Sequence, residues 1–193
     1  MRKATHERNT SETQIKVSLN LDGTGKADIN TGNKFFDHML NQISTHSLID
    51  LEILAKGDTD VDCHHLIEDV GITLGVAMKK ALGDKFGINR YGRAIIPMDE
   101  TLVLCAVDIS NRAYANIDDR FTMKMLGEFQ TEMVKEFFIA LSNNAGFNIQ
   151  TIIFRGSNNH HMVEGTFKAF ARALMEAIKI NDRFGLPTSK GVL

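Results

Sequence analysis

The stretch HHLIEDVGITLGVAMKKAL, residues 64–82, returns at an offset of 96 as HHMVEGTFKAFARALMEAI, residues 160–178, with no gap between the copies. In each copy, large apolar residues recur at the three- and four-residue spacing of a helix with one buried face. The copies share the histidine pair and three further positions: Glu68/Glu164, Ala77/Ala173 and Ala81/Ala177. The pattern predicts two long helices in equivalent places, and therefore an internal duplication.

The segments before the two helices repeat in the same order. Glu-Thr at residue 12 precedes QIKVSLNL, whose alternation predicts a strand with one solvated face. Glu-Thr at residue 100 precedes LVLCAVDI, a continuous apolar run that predicts a strand buried on both faces. A short strand, a helix and a second strand follow in each half: 27–29, 33–45 and 49–55, then 113–117, 132–143 and 148–154.

These elements predict an α+β fold with a duplicated β-β-α-β-α unit, in which helices pack on one face of a mixed sheet in each half. We expect a single domain over residues 1–193, made of two repeats at about 1–88 and 89–193. Each repeat is too small to be comfortably stable alone. We also expect the N-terminal stretch around His6 to be mobile.

Composition excludes several classes of protein. The 193 residues are 43% hydrophobic, which is enough to form a core. A net charge of −2 gives no basic field for nucleic acid or an anionic membrane. The longest apolar runs span about six residues, far short of a membrane helix. MRKATHERNT lacks the apolar segment of a secretory signal, and two cysteines fit a reducing cytoplasm. We therefore expect a globular, cytoplasmic protein.

The two H-H-x-x-E segments predict a metal site. On a helix, Glu68 shares a face with either His64 or His65. The adjacent histidines are about 100° apart around the axis, so they are better placed to reach two different ions. Imidazole and carboxylate together suit Mn, Fe, Zn or Ni. A lone segment would be a weak signal, because histidine pairs are common on surfaces, but its recurrence at matching positions favours metal binding.

Three further side chains could belong to this site, and two of them have alternative interpretations. His38 lies on the preceding predicted helix, and His46 follows it by eight residues on roughly the same face. His46 is either part of a site or a histidine that interacts with the dipole at its helix C-terminus. Cys63 adjoins His64 and is either a soft ligand or a reduced, inert thiol, of which we favour the thiol.

Six motifs resemble the imidazoleglycerol-phosphate dehydratase family of histidine biosynthesis, in order and over nearly the whole chain. They are R-N-T-x-E-T (8–13), F-F-D-H-M-L (35–40), D-x-H-H-x-x-E-D (62–69), R-Y-G (90–92), H-H-x-x-E-x-x-F-K-A-x-A-R-A-L (160–174) and S-K-G-V-L (189–193). Because no phosphatase domain accompanies them, the resemblance implies the single-function form of this hydro-lyase.

The resemblance implies dehydration of D-erythro-imidazoleglycerol phosphate to imidazole acetol phosphate, with two Mn²⁺ ions per active site. It implies a duplicated α+β unit and a homo-oligomer, a 24-mer with octahedral symmetry whose active sites lie between subunits. Our hypothesis for the chemistry is that the substrate imidazole becomes an imidazolate bridging the two ions. The chain hydroxyl then leaves through a diazafulvene-like intermediate, which accounts for two sets of His and Glu ligands and no organic cofactor.

The resemblance also implies metal ligands. The family's metal-binding positions match His38, His64, His65 and Glu68 in the first half, and His160, His161 and Glu164 in the second half. Glu136 stands where some members carry a histidine ligand. Glutamate binds Mn²⁺ well, but a solvated helix carboxylate is the alternative. Gln150 stands where many members carry a histidine, and it is assigned no role.

Candidate substrate-binding residues follow in the same way. Glu12 matches the position of a general acid/base, although from the residues alone it would be a strand-end carboxylate. The phosphate of the substrate needs local cations, because the overall charge cannot attract it. Arg90, Arg112, Ser189 and Lys190 match phosphate-binding positions, with Lys168 and His46 as further candidates.

Two other classes share part of this pattern. A dinuclear metal hydrolase would use the same histidines to activate water, but such enzymes usually add bridging aspartates, and no such cluster accompanies these histidines. A metal-storage or metal-assembled shell would use the ions to hold subunits together, and it would not need Glu12, Arg90 or Lys190.

Overall fold

The two halves of the chain fold with the same topology in a computed structural model, which describes residues 2–183 and 185–191. The first half contains β1 (Lys3–Asn9), β2 (Thr13–Asn20), β3 (Ala27–Asn30), α1 (Lys34–Ser47), β4 (Asp50–Gly57) and α2 (His64–Leu82). The second contains β5 (Tyr91–Met98), β6 (Thr101–Asp108), β7 (Tyr114–Asn116), β8 (Met125–Leu126), β9 (Phe129–Gln130), α3 (Met133–Ala145), β10 (Asn148–Arg155) and α4 (Asn159–Ile178). Val192 and Leu193 of the terminal motif lie outside the described residues.

Each half forms a four-stranded mixed sheet, in the order β1-β2-β4-β3 or β5-β6-β10-β7. Neighbouring strands are antiparallel except for the last pair in each sheet, β4 with β3 and β10 with β7. This matching order confirms the predicted duplication. The small β8–β9 hairpin belongs to the second half and lies between β7 and α3.

Each half begins with one more strand than the sequence pattern indicated. β1 has the sequence KATHERN, and its residues alternate between exposed and half-buried along the edge of the first sheet. Without large apolar residues at every second position, it gives no strand signal in the sequence. His6 lies in this strand, paired opposite Val17, so the expectation of a mobile N-terminal stretch was wrong.

β6 is buried on its inner face only, and the prediction that both faces are buried was wrong for the single chain. Val103, Cys105 and Val107 point inward and are buried, whereas Leu102 and Leu104 point outward and are half-buried. The helices cover one face of this sheet, which leaves the other face to solvent.

The outer faces of the two sheets differ in character. The second sheet carries exposed large apolar residues: Tyr91, Ile95, Tyr114, Ile152 and Phe154. Ile95, Leu104 and Ile152 lie opposite one another in a row across three strands. The first sheet instead presents residues such as Lys16, Ser18 and Glu52 at the outward positions of β2 and β4, with Leu54 as its exposed large apolar side chain.

The helices lie between the sheets and pair across the halves. α2 covers the first sheet and packs along α3, while α4 covers the second sheet and packs along α1. Phenylalanines fill the centre of this layer: the ring of Phe167 stacks on Phe137 at 5.5 Å and contacts Phe138 at 5.0 Å between ring centroids. Among the described residues, no helix is long and apolar enough to cross a membrane.

Gly92, within the R-Y-G motif, marks the tightest contact between sheet and helix. A Cβ at this position would overlap the carbonyl oxygen of Ala173 and the amide nitrogen of Ala177 in α4. Glycine therefore lets β5 lie directly against the backbone of the helix that carries the second histidine pair.

We predict that Gly92→Ala lowers the free energy of unfolding by about 3 kcal/mol, because the strand and the helix must move apart. Chemical denaturation monitored by circular dichroism measures the change. The matched control is Gly185→Ala, where a Cβ would lie 3.8 Å from the ring of Phe86. A stability for Gly92→Ala equal to that of this control would contradict the assigned contact.

Candidate metal centre

Three side chains from both halves of the chain form a cluster of potential metal ligands. His38 of α1 and His160 of α4 place their Nε2 atoms 3.2 Å and 3.0 Å from Oε2 of Glu164. Within the described residues, this is the one group of three such side chains whose ligand atoms all lie within 4.8 Å of one another. His38 thus joins the histidine pair of the second half, because α1 packs against α4.

Local structure fixes the histidines at the start of α4. The side chain of Asn158 caps the helix by accepting hydrogen bonds from the backbone N–H groups of His160 and His161. The ring of Phe35 meets His160 edge-on at 5.2 Å and also packs on Phe129 of the β8–β9 hairpin. This hairpin segment, which the first half lacks, therefore supports the metal cluster from one side.

Glu164 is a buried carboxylate held in its charged form. Lys168 Nζ lies 2.6 Å from its Oε1, one helical turn away, while the two histidines face its other oxygen. Burial raises the pKa of Glu164, but the hydrogen bonds from Lys168, His38 and His160 outweigh burial and lower the pKa to about 2. A carboxylate that is ionised at neutral pH, beside two imidazoles, is a suitable donor set for a divalent cation.

The first histidine pair has a similar but more open arrangement. His64 Nε2 lies 3.8 Å from Oε2 of Glu68, and both side chains are about half-exposed. Glu136 lies in the first turn of α3 and is half-buried. Contacts of Gly71 with Phe137 and of Gly75 with Leu141 set the register of α2 against α3, which brings this turn level with Glu68. Glu136 thus corresponds to His38, on the opposite side of the pseudo-symmetric helix layer.

The two imidazole rings of each histidine pair are nearly perpendicular to each other. The rings of His64 and His65 are inclined by 81°, and those of His160 and His161 by 82°. His65 Nδ1 lies 3.0 Å from Asp58, and His161 Nδ1 lies 2.8 Å from Glu100. The hydrogen bond to Asp58 raises the pKa of His65, and that to Glu100 raises the pKa of His161. Neither carboxylate is among the site residues predicted from the sequence.

Glu12 lies beside His65, at the turn between β1 and β2. Its Oε2 is 3.8 Å from His65 Nδ1, which is beyond hydrogen-bond distance, and the carboxylate forms no hydrogen bond with any described residue. Buried Asp69 anchors the turn to α2: its oxygens accept hydrogen bonds from Arg8 Nε at 2.8 Å and Thr13 Oγ1 at 2.5 Å. The side chain of Thr10 accepts from the backbone N–H of Glu12.

Arg90 lies far from this chain's own histidine cluster. Its guanidinium makes a two-point contact with Asp108, at 2.7 Å and 3.1 Å, and donates to the carbonyl oxygen of Pro187 at 2.9 Å. Its backbone N–H donates to the carbonyl oxygen of Ala177 in α4. At a rise of about 1.5 Å per residue, Ala177 lies about 20 Å along the helix from Glu164. Arg90 therefore holds the C-terminal segment at the opposite end of the second sheet.

The other predicted substrate-binding residues divide between the two ends. Arg112, Ser189 and Lys190 are exposed and belong to the end of the second sheet where Arg90 lies, in the β6–β7 loop and the C-terminal segment. His46 is half-buried near the C-terminus of α1, and burial together with nearby Lys168 and Arg172 lowers its pKa. His46 thus belongs with Lys168 to a cationic region beside Glu164.

Cys63 and Gln150 each contact a polar side chain that is not a candidate ligand. The Cys63 thiol is buried and lies 3.7 Å from the side-chain oxygen of Gln130, and burial raises its pKa. This agrees with a protonated thiol and not with a metal ligand. The side chain of Gln150 donates to Asn148 within β10.

Comparison with known proteins gives a consistent result. The family model described as imidazoleglycerol-phosphate dehydratase matches residues 31–174. The chain is 54% identical over 186 residues to the imidazoleglycerol-phosphate dehydratase of Clostridium acetobutylicum, covering 96% of this chain and 94% of that one. It is 52% identical to the dehydratase of Listeria welshimeri, with both chains covered completely.

Solved structures resemble the fold over nearly its full length. Imidazoleglycerol-phosphate dehydratase from Staphylococcus aureus superimposes with a TM-score of 0.84 at 38% identity, covering 93% of this chain and 99% of that one. The Pyrococcus furiosus protein IGPD, solved in complex with (S)-C348, gives a TM-score of 0.84 at 40% identity, with coverages of 97% and 99%.

We predict that Asp69→Ala lowers the free energy of unfolding by about 2 kcal/mol, because Arg8 and Thr13 lose a buried charged partner. Chemical denaturation measures the loss. Asp28→Ala, at an exposed position in β3, serves as the control and should stay within about 0.5 kcal/mol of the unmodified chain. Equal stabilities for the two variants would show that the Asp69 network does not hold the β1–β2 turn.

Proposed function

Because the chain belongs to the imidazoleglycerol-phosphate dehydratase family, a family of hydro-lyases in histidine biosynthesis, we propose that its dehydration of imidazoleglycerol phosphate depends on metal. The observation that carries the proposal is the convergence of His38, His160 and Glu164 within 4.8 Å. Mn²⁺ is the ion we assign, with two ions per active site.

The donor atoms fit such an ion. Two imidazole nitrogens and one ionised carboxylate suit a divalent transition metal, and they leave coordination positions open for a substrate. His64, Glu68 and Glu136 would supply the corresponding ligands on the other side of the helix layer. His65 and His161 diverge from their neighbours by more than 80° in ring plane, which supports their reaching a second ion in another subunit.

The reaction must remove a proton from a carbon that has no neighbouring carbonyl group. Bound divalent cations would withdraw charge from the substrate imidazole and lower the pKa of its N–H, so that the ring can accept electrons. Glu12 would serve as the proton carrier, since its half-exposed carboxylate has no hydrogen-bond partner among the described residues and lies beside a ligand histidine. The departing hydroxyl leaves as water once it is protonated.

The substrate phosphate would be bound by side chains at the far end of the second sheet. Asp108 holds the guanidinium of Arg90, which donates to the carbonyl oxygen of Pro187. Ser189 and Lys190 come two and three residues after this anchored position in the chain. These groups lie about 20 Å from Glu164 in the same chain, too far to share one small substrate with it. This separation supports active sites formed between subunits.

Assembly of several copies also agrees with the surface of the chain. Soluble monomers rarely expose a broad apolar patch, and the outer face of the second sheet carries Tyr91, Ile95, Tyr114, Ile152 and Phe154. We propose that this face packs against another copy in a homo-oligomer, for which the 24-mer is our expectation.

Removal of metal by a chelator should abolish dehydration of imidazoleglycerol phosphate, and Mn²⁺ should restore it at two ions per chain. We expect particle mass, followed by light scattering, to increase as Mn²⁺ is added. Turnover that persists in fully stripped protein would contradict metal dependence. An increase in mass without turnover would instead identify a shell held together by metal.

Truncation after Pro187 should reduce kcat/KM by on the order of tenfold to hundredfold, because charged hydrogen bonds to phosphate are lost. Mn²⁺ binding, measured by calorimetry, should be unchanged, since the metal cluster lies at the other end of α4. Unaltered kcat/KM in the truncated chain would exclude Ser189 and Lys190 from substrate binding.

A further inference from the structure

The two outward histidines, His65 and His161, each have a carboxylate at the same ring nitrogen. Asp58 Oδ2 lies 3.0 Å from Nδ1 of His65, and Glu100 Oε2 lies 2.8 Å from Nδ1 of His161. An imidazole that donates its Nδ1–H to a carboxylate keeps a lone pair on Nε2, on the opposite side of the ring. The next acidic atom near Nε2 of His161, in Asp99, is 3.7 Å away and beyond hydrogen-bond distance.

We propose that Asp58 and Glu100 are positioning residues, which set the tautomer and direction of His65 and His161 so that each presents Nε2 to a metal ion. This inference rests on the metal dependence proposed above. Carboxylates of this kind commonly hold metal-binding histidines and increase the basicity of the ligand nitrogen. Neither Asp58 nor Glu100 would itself touch the ion or the substrate.

The two halves reach the same arrangement from different sequence positions. β4 and β10 correspond, so the residue after each strand is Asp58 in the first half and Gly156 in the second. A Cβ at Gly156 would lie 2.5 Å from Cγ of Met162, so a carboxylate side chain at that position would displace Met162. In the second half, Glu100 at the start of β6 takes the role instead.

Hydrogen bonds hold both oxygens of the Glu100 carboxylate in place. Its Oε1 accepts hydrogen bonds from the backbone N–H groups of Asn158 at 2.9 Å and Ser157 at 3.2 Å, while its Oε2 faces His161. These hydrogen bonds, that of His161 first, lower the pKa of Glu100. The carboxylate is therefore tied to the same turn that begins α4.

Glu12 is the counterpart of Glu100 in the repeat, but it does not orient a histidine. Its oxygen is 3.8 Å from His65 Nδ1, whereas Asp58 is 3.0 Å away and takes the single hydrogen of that nitrogen. The duplication has thus diverged in function: Glu100 orients a histidine, and Glu12 is free to carry a proton because Asp58 orients the histidine beside it.

The test compares Mn²⁺ affinity among variants of the full chain by titration calorimetry. Asp58→Asn and Glu100→Gln should each weaken Mn²⁺ binding by about 10- to 100-fold. Glu12→Gln should bind Mn²⁺ as tightly as the unmodified chain while losing turnover. Glu52→Gln, on the exposed outer face of β4, is the matched control and should change neither quantity.

The outcomes separate this inference from the proposed function. Failure of the unmodified chain to bind Mn²⁺ would remove the metal dependence itself. Tight binding by the unmodified chain together with equal affinity in Asp58→Asn and Glu100→Gln would leave metal dependence intact and overturn the positioning role. Weaker binding in Glu12→Gln, equal to that of Asp58→Asn, would also overturn the division of roles.

A second measurement is made on the unmodified chain and does not depend on the folding of Asp58→Asn or Glu100→Gln. Nitrogen-15 chemical shifts of the metal-free chain at about pH 9 distinguish the two neutral tautomers of histidine. His65 and His161, assigned from single His→Asn variants, should carry their proton on Nδ1. A proton on Nε2 at either residue would contradict the proposal.

Discussion

The closest approach within the helix layer is between α2 and α3, and the rest of the structure depends on it. A Cβ at Gly75 would lie 2.7 Å from the carbonyl oxygen of Leu141, and one at Gly71 would lie 2.8 Å from that of Phe137. The ring of Phe137 takes the space beside Gly71 and stacks on Phe167, the residue that corresponds to Gly71 in the repeat. Small residues on one side and aromatic residues on the other therefore fill a single layer. In the same layer α1 packs along α4, which places His38 beside Glu164.

Much of the fold follows from periodicity, and its exceptions have physical causes. α2 begins and ends where the repeated stretch does, because the apolar residues of that stretch recur at helical spacing and are buried. β1 escaped prediction because an edge strand buries little and needs no apolar alternation. The solvent-facing side of β6 was predicted to be buried, since an apolar run carries no information on whether the neighbour that covers it belongs to the same chain.

The residue types of the candidate site could be predicted from the sequence, but the contacts between them could not. The repeated H-H-x-x-E segments indicated the types of the candidate ligands. Spacing alone could not show that His38 meets His160 and not His64, because helix periodicity predicts a buried face but not which helix packs on it. Asp58 gave no signal, and Glu100 was noted only as part of the repeated Glu-Thr pair, since each lies outside the helices and strands and reaches its histidine only through the tertiary fold. Arg90 matched a phosphate position, but its contact with Pro187 required the folded chain.

The pairing of helices across the halves also bears on how such a chain could arise. In a half-length chain, α1 would have no α4 beside it and α2 would have no α3, so the apolar faces of both helices would be left in water. The smallest arrangement that restores all of these contacts is a twofold-symmetric pair of half-length chains that lend each other a helix. Gene fusion of such a pair would then allow the two copies of each position to diverge, as Gly71 and Phe167 have done.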